Sequence, residues 1–167
     1  AQIRAAVAAN PGIGRGMATV NPLVFECNDG YLNDIQALAV QESHYADALA
    51  AADKHPAQGA VGAGRGMSCF SFKGGIGSAS RVATIQPDQR YTVGALVLSN
   101  FGRLPNLIVA GRPFGRRLAG QLEGNLAQAG ENAAIVPEKG SIILLVATDA
   151  PLDARQLRRL SLRAGAG

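Results

Sequence analysis

The chain has 167 residues, 47% of them hydrophobic, with 21 glycines, no tryptophan and a formal net charge of +4. Its length suits a single domain able to bury about 70% of its unfolded surface, and the glycine content points to a soluble α/β protein with many tight turns. Apolar runs such as Ile142–Ala147 are far too short to span a bilayer, and the arginine clusters (Arg112, Arg116, Arg117 and Arg155, Arg158, Arg159, Arg163) have no interleaved aromatics with which to stack nucleic-acid bases.

In chain order, residues 2–9 predict a helix tail stopped by Asn10-Pro11-Gly12. The start carries neither an initiator Met nor a basic-then-apolar leader. A processed or truncated chain is therefore expected, cytoplasmic, with the periplasm as the alternative. Residues 19–26 predict a strand with Pro22 near its start, hence at an edge. Asn28-Asp29-Gly30 signals a turn. Asp34 predicts an N-cap for a helix reaching about Asp53, with Ile35, Leu38, Ala39, Tyr45 and Leu49 on one stripe. A glycine-rich section, Gly59 to Gly77, precedes predicted strands at 79–86, 91–99 and 106–110. Residues 111–139 show no clear period and are expected to form a long, mobile excursion. A strand at 141–148 and a helix from Leu152 to Arg163 close the chain. There is no internal repeat.

Few cofactor sites suggest themselves. Cys27 and Cys69 form no CxxC, His44 and His55 are not spaced as ligands, and no metal is expected. "GAGRGM" (Gly62–Met67) and "FKGGIGSASR" loosely resemble phosphate loops. However, a β-like "MSCFSF" follows the glycines where a dinucleotide fingerprint needs a helix, and GKS or GKT is absent. Close packing of backbone on backbone explains these glycines better. No cofactor is expected.

A GxSxG elbow is also missing. The remaining route to a serine nucleophile is activation by its own backbone amine, which requires the preceding peptide bond to be cut. Gly140-Ser141, at the head of "SIILLVAT", suits that chemistry. Glycine leaves its carbonyl unhindered, so the Ser141 hydroxyl can attack it and move the acyl group to oxygen. Water would then release an α-amino group, with an unperturbed pKa of roughly 8, to serve as general base. Taken alone, a Gly-Ser pair is more often a turn.

Four blocks in order and spacing add to this: "VNPLVFECNDGYLND", "VGAGRGMSCFSFKGGIGSASR", "YTVGALVLSNFG" and "GSIILLVATDAPL". Together they resemble the L-aminopeptidase D-amidase/D-esterase family, which includes the β-peptidyl aminopeptidases. The likeness covers most of residues 20–163 and is poor in 1–19 and 111–139. It implies a four-layer αββα sandwich, like that of N-terminal-nucleophile hydrolases but with its own connectivity. It also implies a precursor that cuts itself between 140 and 141, and tetramers of processed protomers. Family members are roughly twice as long, so this chain is expected to be a central fragment lacking downstream residues that orient the amine.

The resemblance further implies roles for individual residues. Ser141 would be the nucleophile and Asn100 an oxyanion donor, the loss of which typically costs about 3 kcal/mol. Tyr31 would be a third catalytic residue, lining the pocket with a hydroxyl that orients the substrate or donates to the oxyanion, and Glu26 would hold the substrate's ammonium. The plainer readings are a strand-end turn former for Asn100, a half-buried aromatic for Tyr31 and a solvent-facing strand end for Glu26. The expected function is removal of the N-terminal residue from short peptides, amides or esters, with D- or β-amino acids tolerated. An acyltransferase of the ornithine-acetyltransferase type, where a threonine nucleophile is expected, and a non-catalytic domain of the same fold are the alternatives.

Overall fold

The computed structural model describes residues 1–126 and 140–166. It divides into two compact units, Ala1–Glu26 with Asp34–Pro56, and Cys27–Asn33 with Ala57–Gly167.

The first unit holds helices α1 (Gln2–Ala9) and α2 (Glu42–Ala50). Arg4 Nη1 donates to Glu42 Oε2 at 2.9 Å. Both side chains are exposed, so the pair contributes at most about 1 kcal/mol. The expected strand at 19–26 is not formed: its residues pair with no strand among the described residues, and Leu23, Val24 and Phe25 are exposed. Pro22 also removes one ladder donor.

The helix expected from Asp34 to Asp53 is likewise broken. Asp34 does cap, accepting from the Gln36 N–H at 3.0 Å, but only for the 3₁₀ turn Ile35–Ala37. Leu38 then turns left-handed at φ 45°, which no helix can continue through. Gln41 restarts the chain as the cap of α2, its N–H donating to His44 Nδ1 at 3.0 Å. His44 is thus part of a capping box.

In the second unit, β1 (Ser68–Cys69) and β2 (Phe72–Lys73) make a short hairpin. Strands β3 (Gly75–Gln86), β4 (Gln89–Asn100) and β5 (Ser141–Thr148) form an antiparallel sheet with β4 in the centre. The strands predicted at 79–86 and 91–99 are present and longer than expected, and 141–148 is found with the expected bounds. Pro87-Asp88 turns β3 into β4. Proline is barred from positive φ, so the primed hairpin turns are closed to it, and a register shift between Thr84 and Gln86 takes up the mismatch.

The third predicted strand, 106–110, is not formed: a 3₁₀ turn, Leu104–Asn106, with Pro105 near its start, runs into an irregular stretch whose Val109 makes only an isolated bridge to Arg112. Helix α3 (Phe114–Leu126) then occupies part of the expected excursion, of which 127–139 lies outside the described residues. Phe114, Leu118 and Leu122 recur every four residues, but intervening glycines lower helix propensity and mask the period. Gly115 is needed, because a Cβ there would run into the Leu104 carbonyl. Helix α4 (Ala154–Ala164) starts at Asp153, which accepts the Gln156 N–H at 2.7 Å while its own N–H donates to Gln156 Oε1 at 2.8 Å.

Among the described residues the buried hydrophobics are Met67 and Leu98, at 1% and 6% exposure. Met67 precedes β1 and Leu98 sits two residues before the end of β4. The core therefore lies beneath the ends of β1, β4 and β5.

Candidate active site

Antiparallel register sets Asn100, the last residue of β4, directly opposite Ser141, the first of β5. Asn100 Nδ2 donates to Ser141 Oγ at 3.1 Å and to the Asn28 carbonyl at 2.6 Å, while Asn100 Oδ1 accepts from the Ser68 N–H at 3.1 Å. A donor on one side and a carbonyl on the other leave one chemically sensible orientation of the amide. Its NH₂ group must face Ser141.

Each of these partners has its own support. The Asn28 carbonyl is presented by an Asx turn, in which Asn28 Oδ1 accepts the Gly30 N–H at 2.9 Å. Ser68 follows the buried Met67, whose carbonyl accepts the Gly74 N–H at 2.8 Å. The glycines of the 62–77 section allow this closeness. A Cβ on Gly64 or Gly75 would collide with the Gly59 carbonyl, and one on Gly66 with the Asp29 side chain. Residues Gly62–Gly66 form a 3₁₀ turn leading into β1 instead of an α-helix, as expected for packing glycines and not for a dinucleotide loop.

Next to the site, the hairpin turn Phe70-Ser71 has both residues left-handed, at φ 51° and 66°. Such a turn without glycine carries strain of order 1 kcal/mol per residue. Three contacts hold it, one of them the Leu104 N–H donating to Ser71 Oγ at 3.3 Å. The Phe70 N–H donates to the Phe101 carbonyl at 2.9 Å, and the two rings meet edge to face at 5.3 Å. Phe101 in turn lies against Gly140: a Cβ at 140 would sit 2.6 Å from Phe101 Cβ and 2.9 Å from its Cα. Glycine is therefore required before Ser141 by steric space.

Glu26 and Tyr31 are placed differently. Tyr31, in the Cys27–Asn33 segment of the second unit, is 85% exposed. Glu26 ends a segment of the first unit and is exposed. Among the described residues neither side chain makes a hydrogen bond or ion pair. The structure thus brings Asn100 to Ser141 and ties neither Glu26 nor Tyr31 to that pair. Cys27 and Cys69 are free thiols, and no cluster of three metal-ligating side chains occurs among the described residues. The Asn28 carbonyl and the Ser68 N–H were invisible to sequence reasoning, because any residue type supplies them. No helix among the described residues is long and apolar enough to cross a membrane.

An amide donor is fixed on a strand-leading serine hydroxyl, with a glycine ahead of it. The model of peptidase family S58 matches residues 1–167. The chain belongs to peptidase family S58. It is 47% identical over 155 residues to the β-peptidyl aminopeptidase BapA of Sphingosinicella microcystinivorans, covering 90% of this chain and 39% of that protein. Over 150 residues it is 41% identical to BapA of Sphingosinicella xenopeptidilytica, covering 87% of this chain and 37% of the relative.

Among solved structures, the PH0078 protein from Pyrococcus horikoshii OT3 superposes with a TM-score of 0.78 at 48% identity, over 96% of this chain and 40% of that one. The L-aminopeptidase D-Ala-esterase/amidase from Ochrobactrum anthropi, described as a prototype for the serine aminopeptidases and a variant of the Ntn hydrolase fold, superposes at 0.65 with 38% identity. That match covers 82% of this chain and 34% of the other. This S58 chain shares their α/β fold, as the sequence blocks implied. It spans about 40% of the length of the curated relatives it matches.

Proposed function

We propose that the full-length protein is a self-processing serine aminopeptidase that removes the N-terminal residue of short peptides, amides or esters, β-amino acids included. The observation that carries this is the 3.1 Å donation from Asn100 Nδ2 to Ser141 Oγ, with Gly140 pressed against Phe101. Relatives named β-peptidyl aminopeptidases support the substrate class.

Processing begins when Ser141 Oγ attacks the Gly140 carbonyl carbon. The C–N bond to Ser141 breaks, the nitrogen takes the hydroxyl proton, and an ester joins Gly140 to Ser141 Oγ. Water cleaves that ester, leaving a Gly140 carboxylate and a free α-amine on Ser141. In turnover this amine accepts the Oγ proton as the oxygen attacks the substrate carbonyl. The negative charge that develops on the carbonyl oxygen takes a hydrogen bond from Asn100 Nδ2, a donor already oriented by Ser68 and Asn28. The amine proton passes to the leaving group, and water then hydrolyses the acyl-enzyme. Glu26 pairs with the substrate ammonium, and Tyr31 lines the same pocket. A pocket gripping ammonium and carbonyl need not read the Cα substituent, which accommodates D- and β-residues. Processed protomers assemble as a homotetramer in this reading.

The acyltransferase alternative is weaker. Position 141 is Ser rather than Thr, and the curated relatives are named aminopeptidases. The test is to express the full-length gene and follow it by denaturing gel, N-terminal sequencing and release of p-nitroaniline from aminoacyl anilides. A second polypeptide starting Ser-Ile-Ile-Leu and anilide cleavage are expected. A persistent single chain with no turnover would remove the proposal.

A further inference from the structure

The Lys73 ammonium is taken up by three backbone carbonyls: Gly64 at 2.5 Å, Met67 at 2.9 Å and Gly74 at 2.8 Å. Lysine ordinarily keeps its head in water, and holding its four-carbon stem in one geometry costs side-chain entropy. Three charge-assisted bonds converging on one nitrogen fill every donor it has. The local glycines permit this cradle, since Cβ atoms on Gly64 and Gly74 would foul the neighbouring backbone.

The middle carbonyl matters most. Met67 C=O and Ser68 N–H belong to one peptide group. Its oxygen accepts from Lys73 Nζ and from the Gly74 N–H, and its N–H donates to Asn100 Oδ1. A cation on the oxygen draws electron density through the amide and makes the N–H a stronger donor, because hydrogen bonds in series polarise one another. Asn100 Oδ1 then holds that N–H more firmly, which keeps Nδ2 aimed at Ser141 Oγ and acidifies its protons in the same sense.

We propose that Lys73 is a positioning residue of the Ser141 site, acting through the Met67–Ser68 peptide group on the Asn100 amide. It touches neither Ser141 nor substrate, and its effect should appear in the chemical step. The inference rests on the proposed aminopeptidase function, so the experiment first requires that full-length wild-type protein cleave aminoacyl anilides. If it does not, the function has failed and not the role of Lys73.

With that established, Lys73→Met keeps the apolar stem and removes the ammonium. Per titrated active site, kcat should fall about tenfold, as expected for a small misplacement of a reacting group, with KM within about twofold. The decisive readout is coupling: in the Asn100→Ala background the same substitution should change kcat less than about twofold, because its route of action is gone. Folded, processed Lys73→Met with wild-type kcat, or an equal loss in both backgrounds, overturns the proposal. Should Lys73→Met fail to fold, Lys73→Arg keeps the charge with a different reach. A loss of about threefold that again disappears in the Asn100→Ala background supports the proposal, and an uncoupled loss or no loss overturns it.

Discussion

The paired ends of β4 and β5 and the segment from Leu23 to Tyr31 both carry residues expected to work in the same reaction, and they are built by opposite means. At the strand ends, register puts Asn100 opposite Ser141, and three hydrogen bonds lock the amide. Between Leu23 and Tyr31 the backbone runs outside any strand among the described residues, and Glu26 and Tyr31 project exposed. In the proposed reading, the atoms that must meet during bond-making are placed by backbone pairing, which tolerates little error. In the same reading, the groups that recognise substrate sit on a segment outside any strand, tied to the strand ends at Asn28, whose carbonyl accepts from Asn100 Nδ2. Catalytic steps should therefore be more sensitive to substitution at the strand ends than binding is at the loop.

This contrast can be broken in order of effect, always in the full-length protein. Ser141→Ala should leave one uncut chain on a denaturing gel and lower anilide cleavage at least about 10⁴-fold; two chains or retained turnover would relocate the nucleophile. Asn100→Ala should lower kcat about 10²- to 10³-fold, equivalent to about 3–4 kcal/mol, with KM little changed. Steady-state kinetics on processed protein decide it, and a loss confined to KM would move Asn100 to the recognition side. Gly140→Ala forces a Cβ onto Phe101 and should slow processing by about 10²-fold, the scale of an ångström-level misplacement. Pulse-chase appearance of the Ser-Ile-Ile-Leu chain measures this, and an unchanged rate would show that the 140–101 contact relaxes freely.

On the loop the expected effects are smaller. Glu26→Ala should raise KM for substrates with a free amine by about tenfold, roughly one charge-assisted hydrogen bond, and leave N-acylated esters unaffected. Equal losses on both would make Glu26 structural. Tyr31→Phe should be the mildest, about two- to threefold in kcat/KM, the scale of one exposed hydroxyl contact. A loss rivalling Asn100→Ala would show that Tyr31 belongs with the strand-end group.

The same contrast explains what could be read from the sequence. The strand 141–148 was found with the expected bounds, because "SIILLVAT" is a β-branched and leucine-rich run flanked by Gly140 and Asp149. Asn100 and Ser141 were identifiable as a pair only through family resemblance. Their juxtaposition follows from a register that no local pattern encodes. Leu38 broke a predicted helix because its left-handed turn has no glycine to announce it. Helix α3 was hidden for the converse reason, since it contains glycines, of which Gly115 serves close packing against Leu104. The Lys73 cradle was legible only as a lysine among glycines that read better as packing than as a phosphate loop, and the three carbonyls around its ammonium are backbone groups that no residue type announces.

The most direct test is intact-mass spectrometry of purified full-length protein alongside its anilide turnover. The account predicts two masses that sum to the precursor plus one water, the second beginning at Ser141, in a sample that cleaves substrate. A single uncut mass in a sample that still turns over would contradict it.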